Sequence, residues 1–165
     1  MAKNKIARKA EKKSDTKPTI ALNRRARHDF ALEDRFEAGL VLQGWEVKSL
    51  RSGKGRIAEA YVLLKDGEAW LLGAHIDPLA SASSHVHTDP TRTRKLLLNA
   101  QELSRLVGAT ERQGYTIIPT ALYWKNGLAK LEVALAKGKQ KKDKRDDVKK
   151  RDWQREKQRT LKHSV

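Results

Sequence analysis

Two turn dipeptides, each set between apolar runs, constrain the fold of this chain more than any other feature. Asp66-Gly67 divides the apolar runs within 61–72, and Asn126-Gly127 does the same within 115–135. Both dipeptides tolerate the positive φ angles of a tight type I′ turn, so each pattern predicts a β-hairpin. After the second turn, apolar side chains alternate with polar or small ones through residue 135. This period of two predicts a strand with one buried face and one open face.

Local signals also predict two helices. A long helix should begin at Pro90, with Asp89 as its N-cap, and end at Gly108, because leucines recur at helical spacing between these positions. A shorter helix is plausible over 45–51, which lies between two glycines. Residues 19–22 are expected to form a short strand.

The predicted elements favour a mainly β domain over residues 18–136, with two or three packed helices. A small closed or partly open β-barrel of the oligonucleotide-binding type is one arrangement that accommodates these elements. The pattern alone leaves other α+β arrangements open.

The uneven distribution of charge separates this domain from two basic arms. The chain has 36 Lys and Arg against 20 Asp and Glu, for a net charge of +16. Residues 1–22 contribute +5, residues 137–165 contribute +8, and the long segment between them contributes only +3. Basic arms of this kind bind polyanions by releasing condensed counterions. We therefore expect a disordered arm over 1–17 and a tail over 137–165 that is disordered when free and helical on a surface that neutralises it.

Other classes of protein are disfavoured. The chain has no cysteine, which excludes disulfides and thiolate metal sites. No apolar run approaches the ~20 residues of a membrane span, and the Lys-rich N-terminus lacks the apolar region of a signal peptide, so a cytoplasmic protein without membrane contact is expected. His85, His87 and Asp89 could suggest a metal site, but the neighbouring serines and Pro90 favour a loop. No catalytic motif is evident, and we predict neither an enzyme nor a metal or cofactor.

Basic side chains within the domain form three groups that could grip RNA phosphates or simply face solvent. They are Arg24, Arg25 and Arg27; Lys48, Arg51, Lys54 and Arg56; and Arg92, Arg94 and Lys95. His28 could add a ring for contact with a base or sugar.

Four segments in the same order resemble a known family. They are 20–28, then 36–40 with 44–51, then 94–99, and finally 136–139 with 143–145. Together they are similar to small protein B, the SsrA-binding family that partners transfer-messenger RNA in bacteria. The resemblance extends from about residue 19 to the end of the chain.

This resemblance implies an oligonucleotide-binding-like barrel and a non-enzymatic role in trans-translation. Family members bind the tRNA-like domain of transfer-messenger RNA and bring it to a stalled ribosome, where the tail enters the empty message channel and is sensed at the small-subunit decoding centre. Elongation factor Tu would be an indirect partner, through the charged RNA.

The resemblance also implies particular site residues. It places RNA contacts at Asn23, Arg24, Glu37, Arg51, Leu97, Asn99 and Lys130, to which the basic groups add Arg27, His28 and Lys48. In the tail the expected ribosome contacts are Lys137, Gly138, Lys139, Asp143, Lys144, Arg145, Lys149, Arg151, Trp153 and Leu161. Glu37 could accept hydrogen bonds from base amines or hold a neighbouring arginine, and Leu97 could contact RNA or pack in the core.

The chain departs from the family pattern at two places. Residues 56–60 are less polar than in many relatives, which puts an RNA contact from this loop in doubt. Lys142 stands where many relatives have an aromatic residue or histidine suited to stacking. Two other functions stay open from the residues alone: a general RNA chaperone without a dedicated partner, and a metal-dependent hydrolase.

Overall fold

The computed structural model describes residues 18–82 and 85–163, without the side chains of 141–143 and 160–163. The predicted arm over 1–17 lies outside these residues. The strands are β1 Thr19–Leu22, β2 Phe30–Leu40, β3 Gly55–Arg56, β4 Tyr61–Lys65, β5 Glu68–Leu72, β6 His75–Ile76, β7 Arg94–Leu97, β8 Thr116–Lys125 and β9 Leu128–Gly138. The helices are α1 Arg24–Asp29, α2 Gly44–Arg51, α3 Ala100–Gln113 and α4 Lys141–His163. No helix in the described part of the chain is long and apolar enough to cross a membrane.

Seven of these strands form one antiparallel sheet that bends into a nearly closed ring. The order around the ring is β4, β5, β7, β2, β9 and β8, and β8 pairs again with β4. β1 pairs with the remaining part of the β8 edge, while β3 and β6 form a separate two-stranded sheet. The predicted mainly β class is confirmed.

Both predicted hairpins are confirmed. The β4–β5 turn places Asp66 at φ 53° and Gly67 at φ 72°, and the β8–β9 turn places Asn126 at φ 51° and Gly127 at φ 74°. Asparagine, aspartate and glycine tolerate this left-handed region, which is why the dipeptides located the turns correctly.

The core lies inside the ring. Leu131 and Val133 of β9 are completely buried, as predicted from the alternation. Trp45 of α2 and Leu106 of α3 pack into the same core. The alternation fails near the end of β9, where Ala134 is also completely buried on the outer face.

A second, smaller core explains this failure. It joins Ala26 of α1 to Ile118 and Ala136, with Phe30 and Leu32 packed against it. α1 therefore covers part of the outer face of β8 and β9, so this end of β9 has no open side.

The long helix was predicted with wrong ends. Residues 94–97 form strand β7, and α3 begins after Asn99 and ends at Gly114, which has a φ of 68°. Gly108 lies within the helix. The predicted cap, Asp89, instead accepts hydrogen bonds from the backbone N–H and hydroxyl of Thr91, both 3.0 Å long.

Tertiary pairing determines the strand at 94–97. β7 lies between β5 and β2 and pairs with both of them. Hydrogen bonds to both neighbouring strands satisfy the backbone N–H and C=O groups of β7, which a helix would have satisfied within itself. The helical spacing of the leucines therefore does not determine the structure of this segment. The predicted strand at 19–22 and helix at 45–51 are confirmed as β1 and α2.

Candidate nucleic-acid interface

Three of the predicted RNA contacts lie on the outer face of β2, β7 and β9, and a fourth, Asn99, lies two residues after the end of β7. We name the surface formed by Glu37, Leu97, Asn99 and Lys130 the sheet face. Gly39 of β2 pairs with Leu97 on one side and with Lys130 on the other. A Cβ atom at Gly39 would lie 3.3 Å from the Leu97 Cβ and 3.7 Å from the Lys130 Nζ. Glycine at this position therefore leaves room for the leucine and the lysine to lie close together.

Glu37 lies two residues from Gly39 and so projects on the same side of β2. Its carboxylate accepts hydrogen bonds from the Tyr123 hydroxyl and from the Lys125 Nζ, the latter at 2.7 Å. Burial and the hydrogen bond to Glu37 raise the pKa of Tyr123, so its hydroxyl keeps its proton and remains a donor. Glu37 thus holds a lysine and a tyrosine on β8, whereas the sequence suggested an arginine.

Leu97 is a surface residue. Its side chain is 52% exposed, whereas that of the preceding Leu96 is 3% exposed. The packing role considered for Leu97 is therefore wrong, because the strand alternation turns it outward.

Lys130 and Asn99 complete the sheet face. Lys130 is half-buried and makes no ion pair with any described residue, so its ammonium is available to a ligand. Asn99 is exposed and caps α3, with its Oδ1 accepting from the Glu102 backbone N–H at 2.9 Å. The two amide hydrogens of Asn99 still point to no described acceptor, and they suit a contact with a base edge or sugar.

A second group of predicted contacts lines a groove between α1 and α4, here called the α1–α4 groove. It has a volume of about 500 Å³. α1 contributes Arg24, Arg27 and His28, and α4 contributes Lys150 and Arg151, along with the acidic Asp147. This positive surface suits an anion such as an RNA phosphate.

Asn23 has a supporting role in this groove. Its side chain is buried, its Oδ1 accepts from the Ala26 N–H, and its Nδ2 donates to the carbonyls of Ile57 and Pro119. Since these bonds use the acceptor and both donor hydrogens of the amide, the predicted contact of Asn23 with a sugar or base edge is replaced by a structural role.

The remaining predicted contacts of the domain lie on α2. Lys48 and Arg51 are both exposed. Within the described residues, no hydrogen bond or ion pair links them to the sheet face or to the α1–α4 groove, so their part in binding stays a prediction.

The third basic group of the sequence does not form a phosphate-binding surface. Arg94 is completely buried, with its Nε 2.8 Å from a carboxylate oxygen of Glu46 and its other nitrogens on the carbonyls of Ala74 and Pro90. Arg92 also pairs with Glu46, at 2.7 Å.

Lys95 completes the correction of this group, because it pairs with Glu68 on the neighbouring strand. The three residues stabilise the domain through their own acidic partners. The sequence around these residues shows only that they are charged, so the burial of Arg94 could not be recognised from it.

The base of the tail is attached to the domain. β9 extends to Gly138, which pairs with Phe30, so the structural boundary lies a few residues after the predicted one at 136–137. Lys137 lies with its Nζ 4.3 Å from the centre of the Tyr115 ring. Lys139 donates to the carbonyl of Arg27 at 3.1 Å.

Most tail side chains beyond this point are exposed on α4. Lys144 is half-buried, while Arg145, Lys149 and Arg151 are exposed. Trp153 is 64% exposed, with Lys157 positioned over its ring. The side chains of Asp143, Leu161 and Lys142 lie outside the described part of the tail, and the conformation of the free tail in solution stays a prediction.

The less polar loop at 56–60 has a structural explanation. Ile57 and Ala60 are core residues, only 2% and 5% exposed. Two of its apolar side chains therefore serve packing, and an RNA contact from this loop stays in doubt.

In the described part of the chain, no group of three or more histidine, aspartate or glutamate side chains is arranged to hold a metal ion. His85 and His87 are exposed beside Asp89. The backbone N–H of Thr91 lowers the pKa of Asp89, whose carboxylate is used within the loop.

Comparison with known proteins identifies the family. The pattern described as SmpB protein matches residues 20–163. The chain belongs to the SmpB protein family. This is the small protein B family that the sequence motifs resemble.

Relatives in this family match over nearly their whole length. The SsrA-binding protein of Alcanivorax borkumensis is 62% identical, over 93% of this chain and 97% of its own. The SsrA-binding protein of Pseudoalteromonas translucida is 61% identical over the full length of both chains. A solved chain from work on tmRNA–SmpB at the center of the bacterial ribosome is 41% identical, with a TM-score of 0.61, covering 77% of this chain and 92% of that one.

Some residues of the candidate interface in this SmpB-family chain were not found from the sequence. Tyr123 and Lys125 join the sheet face through Glu37, which is more than 80 residues away along the chain. Lys150 of the tail lines the α1–α4 groove, and its charge alone did not indicate that it lies beside α1.

Proposed function

We propose that this SmpB-family chain binds the tRNA-like domain of SsrA RNA, the transfer-messenger RNA, and delivers it to stalled ribosomes for trans-translation. The observation that carries the proposal is the sheet face, where Leu97 and Lys130 lie side by side across Gly39 on the outside of the ring. The family membership of the chain adds the identity of the RNA. The protein acts by binding and carries out no chemical step.

The side chains of the sheet face suit complementary parts of a folded RNA. The ammonium of Lys130 can bind a phosphate, the amide of Asn99 can donate to a base edge or sugar, and Leu97 can pack on a sugar or base. Glu37 keeps Tyr123 and Lys125 in place beside them. We infer that the ring is a barrel of the oligonucleotide-binding type, in which an open strand face commonly receives the nucleic acid.

The tail forms a second positive surface, for the ribosome. Arg24, Arg27 and His28 of the α1–α4 groove stay predicted contacts of the transfer-messenger RNA. Residues 137–165 carry a net charge of +8, enough to follow the RNA walls of an empty message channel. In this proposal the tail reaches the decoding centre of the small subunit, and elongation factor Tu takes part through the charged RNA. The site of action would be the cytoplasm.

The test is a competition measurement at fixed salt. Binding of the labelled tRNA-like domain is measured with an excess of ordinary tRNA, for the wild type, Lys130→Glu and Lys157→Glu. Lys157 is an exposed lysine in the second half of α4, so its replacement makes the same change in charge outside the sheet that carries the sheet face.

We expect the wild type to resist the competitor and Lys130→Glu to bind at least 10-fold more weakly, with Lys157→Glu close to the wild type. Equal weakening by both variants would mean that affinity depends only on total charge. Loss of wild-type binding to the competitor would favour a general RNA chaperone.

A further inference from the structure

Asp29 of α1 makes contacts with the base of the tail. The Asp29 carbonyl accepts a 3.0 Å hydrogen bond from the backbone N–H of Lys139, just before the helix begins. The Asp29 carboxylate lies 3.3 Å from the Nζ of Lys144, in the first turns of α4. Asp29 therefore contacts the tail twice, on both sides of the point where α4 starts.

A second bridge supports the same junction. The Nζ of Lys139 donates to the carbonyl of Arg27 at the end of α1 and pairs with the carboxylate of Asp147 in α4. The Lys139 side chain is only 18% exposed, so its ammonium is largely shielded from water. Lys139 thus connects α1 to the second turn of α4.

Charge repulsion acts against this arrangement. Arg24 and Arg27 of α1 face Lys150 and Arg151 of α4 across the α1–α4 groove. Like charges held close together favour separation of the two helices. Among the described residues of this junction, the carboxylates of Asp29 and Asp147 provide the opposing attraction.

We propose that Asp29 is a positioning residue that sets the direction in which α4 leaves the domain. At about 1.5 Å per residue, the 23 residues of α4 span roughly 35 Å. A small change of angle at its base therefore moves its far end by several ångströms. The consequence for ribosome rescue rests on the proposed function, whereas the effect on helix direction does not.

A charge-swap series tests the proposal. The variants are Asp29→Lys, Lys144→Asp, the double swap, and Asp152→Lys as a control with the same change in charge on an exposed residue of α4. Asp29→Lys also removes the contacts of this carboxylate with Arg25 and His28 within α1, and the favourable position of a lysine at the end of a helix offsets part of that loss. Because the chain has no cysteine, spin labels can be placed at Lys65→Cys and Arg155→Cys alone.

The readouts are the distance distribution between the two labels in the RNA-bound protein, RNA affinity, and rescue of ribosomes stalled on a message without a stop codon. We expect Asp29→Lys and Lys144→Asp each to broaden or shift the distance and to reduce rescue by about 10-fold, with RNA affinity within about 3-fold of the wild type. The double swap should restore the distance, and Asp152→Lys should leave both the distance and rescue unchanged.

An unchanged distance in Asp29→Lys would overturn the proposal, as would a double swap that restores nothing. Failure of the proposed function looks different, because the wild type itself would then neither bind the RNA selectively nor rescue ribosomes. The distance measurement would still report on Asp29 in that case.

Discussion

Glu46 lies on a short helix of mixed composition, and its local sequence suggests a residue facing solvent. In the structure its side chain is completely buried. Its carboxylate accepts hydrogen bonds from Arg92, Arg94 and the Gln43 backbone N–H. This network joins α2 to Arg94 of β7 and to Arg92, which lies just before β7. It therefore fixes the position of α2, the helix that carries Lys48 and Arg51.

The pKa of Glu46 predicts how stability depends on pH. Burial acts to raise this pKa, but the hydrogen bonds from Arg92 and Gln43 and the charge of Arg94 outweigh it, so the pKa lies below its ordinary value of 4.5. Because the folded pKa is the lower one, the stabilisation is complete above pH 4.5 and is lost as the pH falls through the folded pKa.

We expect Glu46→Gln to lower the free energy of unfolding by about 3 kcal/mol at pH 7, since it leaves buried arginines without their charged partner. The difference from wild type should shrink as the pH falls below 4.5. Urea unfolding between pH 3 and pH 7 measures both effects, with Glu111→Gln, at an exposed position, as the control. A constant difference across this range would show that ionised Glu46 does not stabilise the fold.

At the scale of elements, Asn99 links the start of α3 to the sheet face. Its Oδ1 accepts a hydrogen bond from the Glu102 backbone N–H, and the Glu102 carboxylate accepts one from the Asn99 backbone N–H. The two residues therefore form a capping box. Asn99 also lies two residues after Leu97, and its amide hydrogens have no acceptor among the described residues. One residue thus serves both folding and the proposed RNA contact.

Two substitutions separate these roles. Asn99→Ala removes both and should lower the free energy of unfolding by about 1 kcal/mol while weakening RNA binding. Asn99→Ser keeps a capping oxygen and loses the amide donors, so it should unfold like the wild type and bind RNA as weakly as Asn99→Ala. Chemical unfolding and RNA titration of the wild type and both variants measure these effects. If Asn99→Ser bound RNA as tightly as the wild type, the role of Asn99 would be limited to capping α3.

At the scale of the whole molecule, the ring and the tail meet at the end of β9. Removal of residues 141–165 leaves all of β9 and the backbone bond between Lys139 and Asp29 in place. The removed segment carries 11 basic and five acidic side chains. The domain itself keeps the complete sheet face.

We therefore expect this truncation to bind the tRNA-like domain within a few fold of the wild type but to lose ribosome rescue. RNA titration at several salt concentrations and a rescue reaction on a message without a stop codon measure the two effects. Because few tail charges would contact this RNA, the slope of log affinity against log salt should change by less than about one. A loss of affinity above 10-fold would instead place the tail in the primary RNA site.

Features determined by neighbouring residues were predictable from the sequence. Asp66-Gly67 and Asn126-Gly127 located both hairpins, since a turn of this kind depends on the φ preferences of two residues. α2 was also predicted, between its flanking glycines. The family motifs identified the residues of the sheet face, whose contact with RNA stays a prediction.

Features that depend on distant segments needed the tertiary structure. Residues 94–97 have helical leucine spacing but form a strand, because β5 and β2 satisfy their backbone on both edges. The same closure of the ring buries Arg94 against Glu46 and gives Asn23 a structural role. β5, β2, Glu46, Ile57 and Pro119 all lie far from these residues along the chain, so local sequence carries no information about these contacts.

The sequence by itself thus determined the turns, the class of fold, the family and the polyanionic nature of the partner, all of which depend on local conformation, composition or motif. The tertiary structure alone decided which side chains share a surface. Leu97 and Lys130 become neighbours only because both pair with Gly39, and the base of α4 meets Asp29 although Lys144 is 115 residues away from it along the chain. The physical reason is that hydrogen bonding between strands and ion pairing between helices join residues that are far apart in the chain.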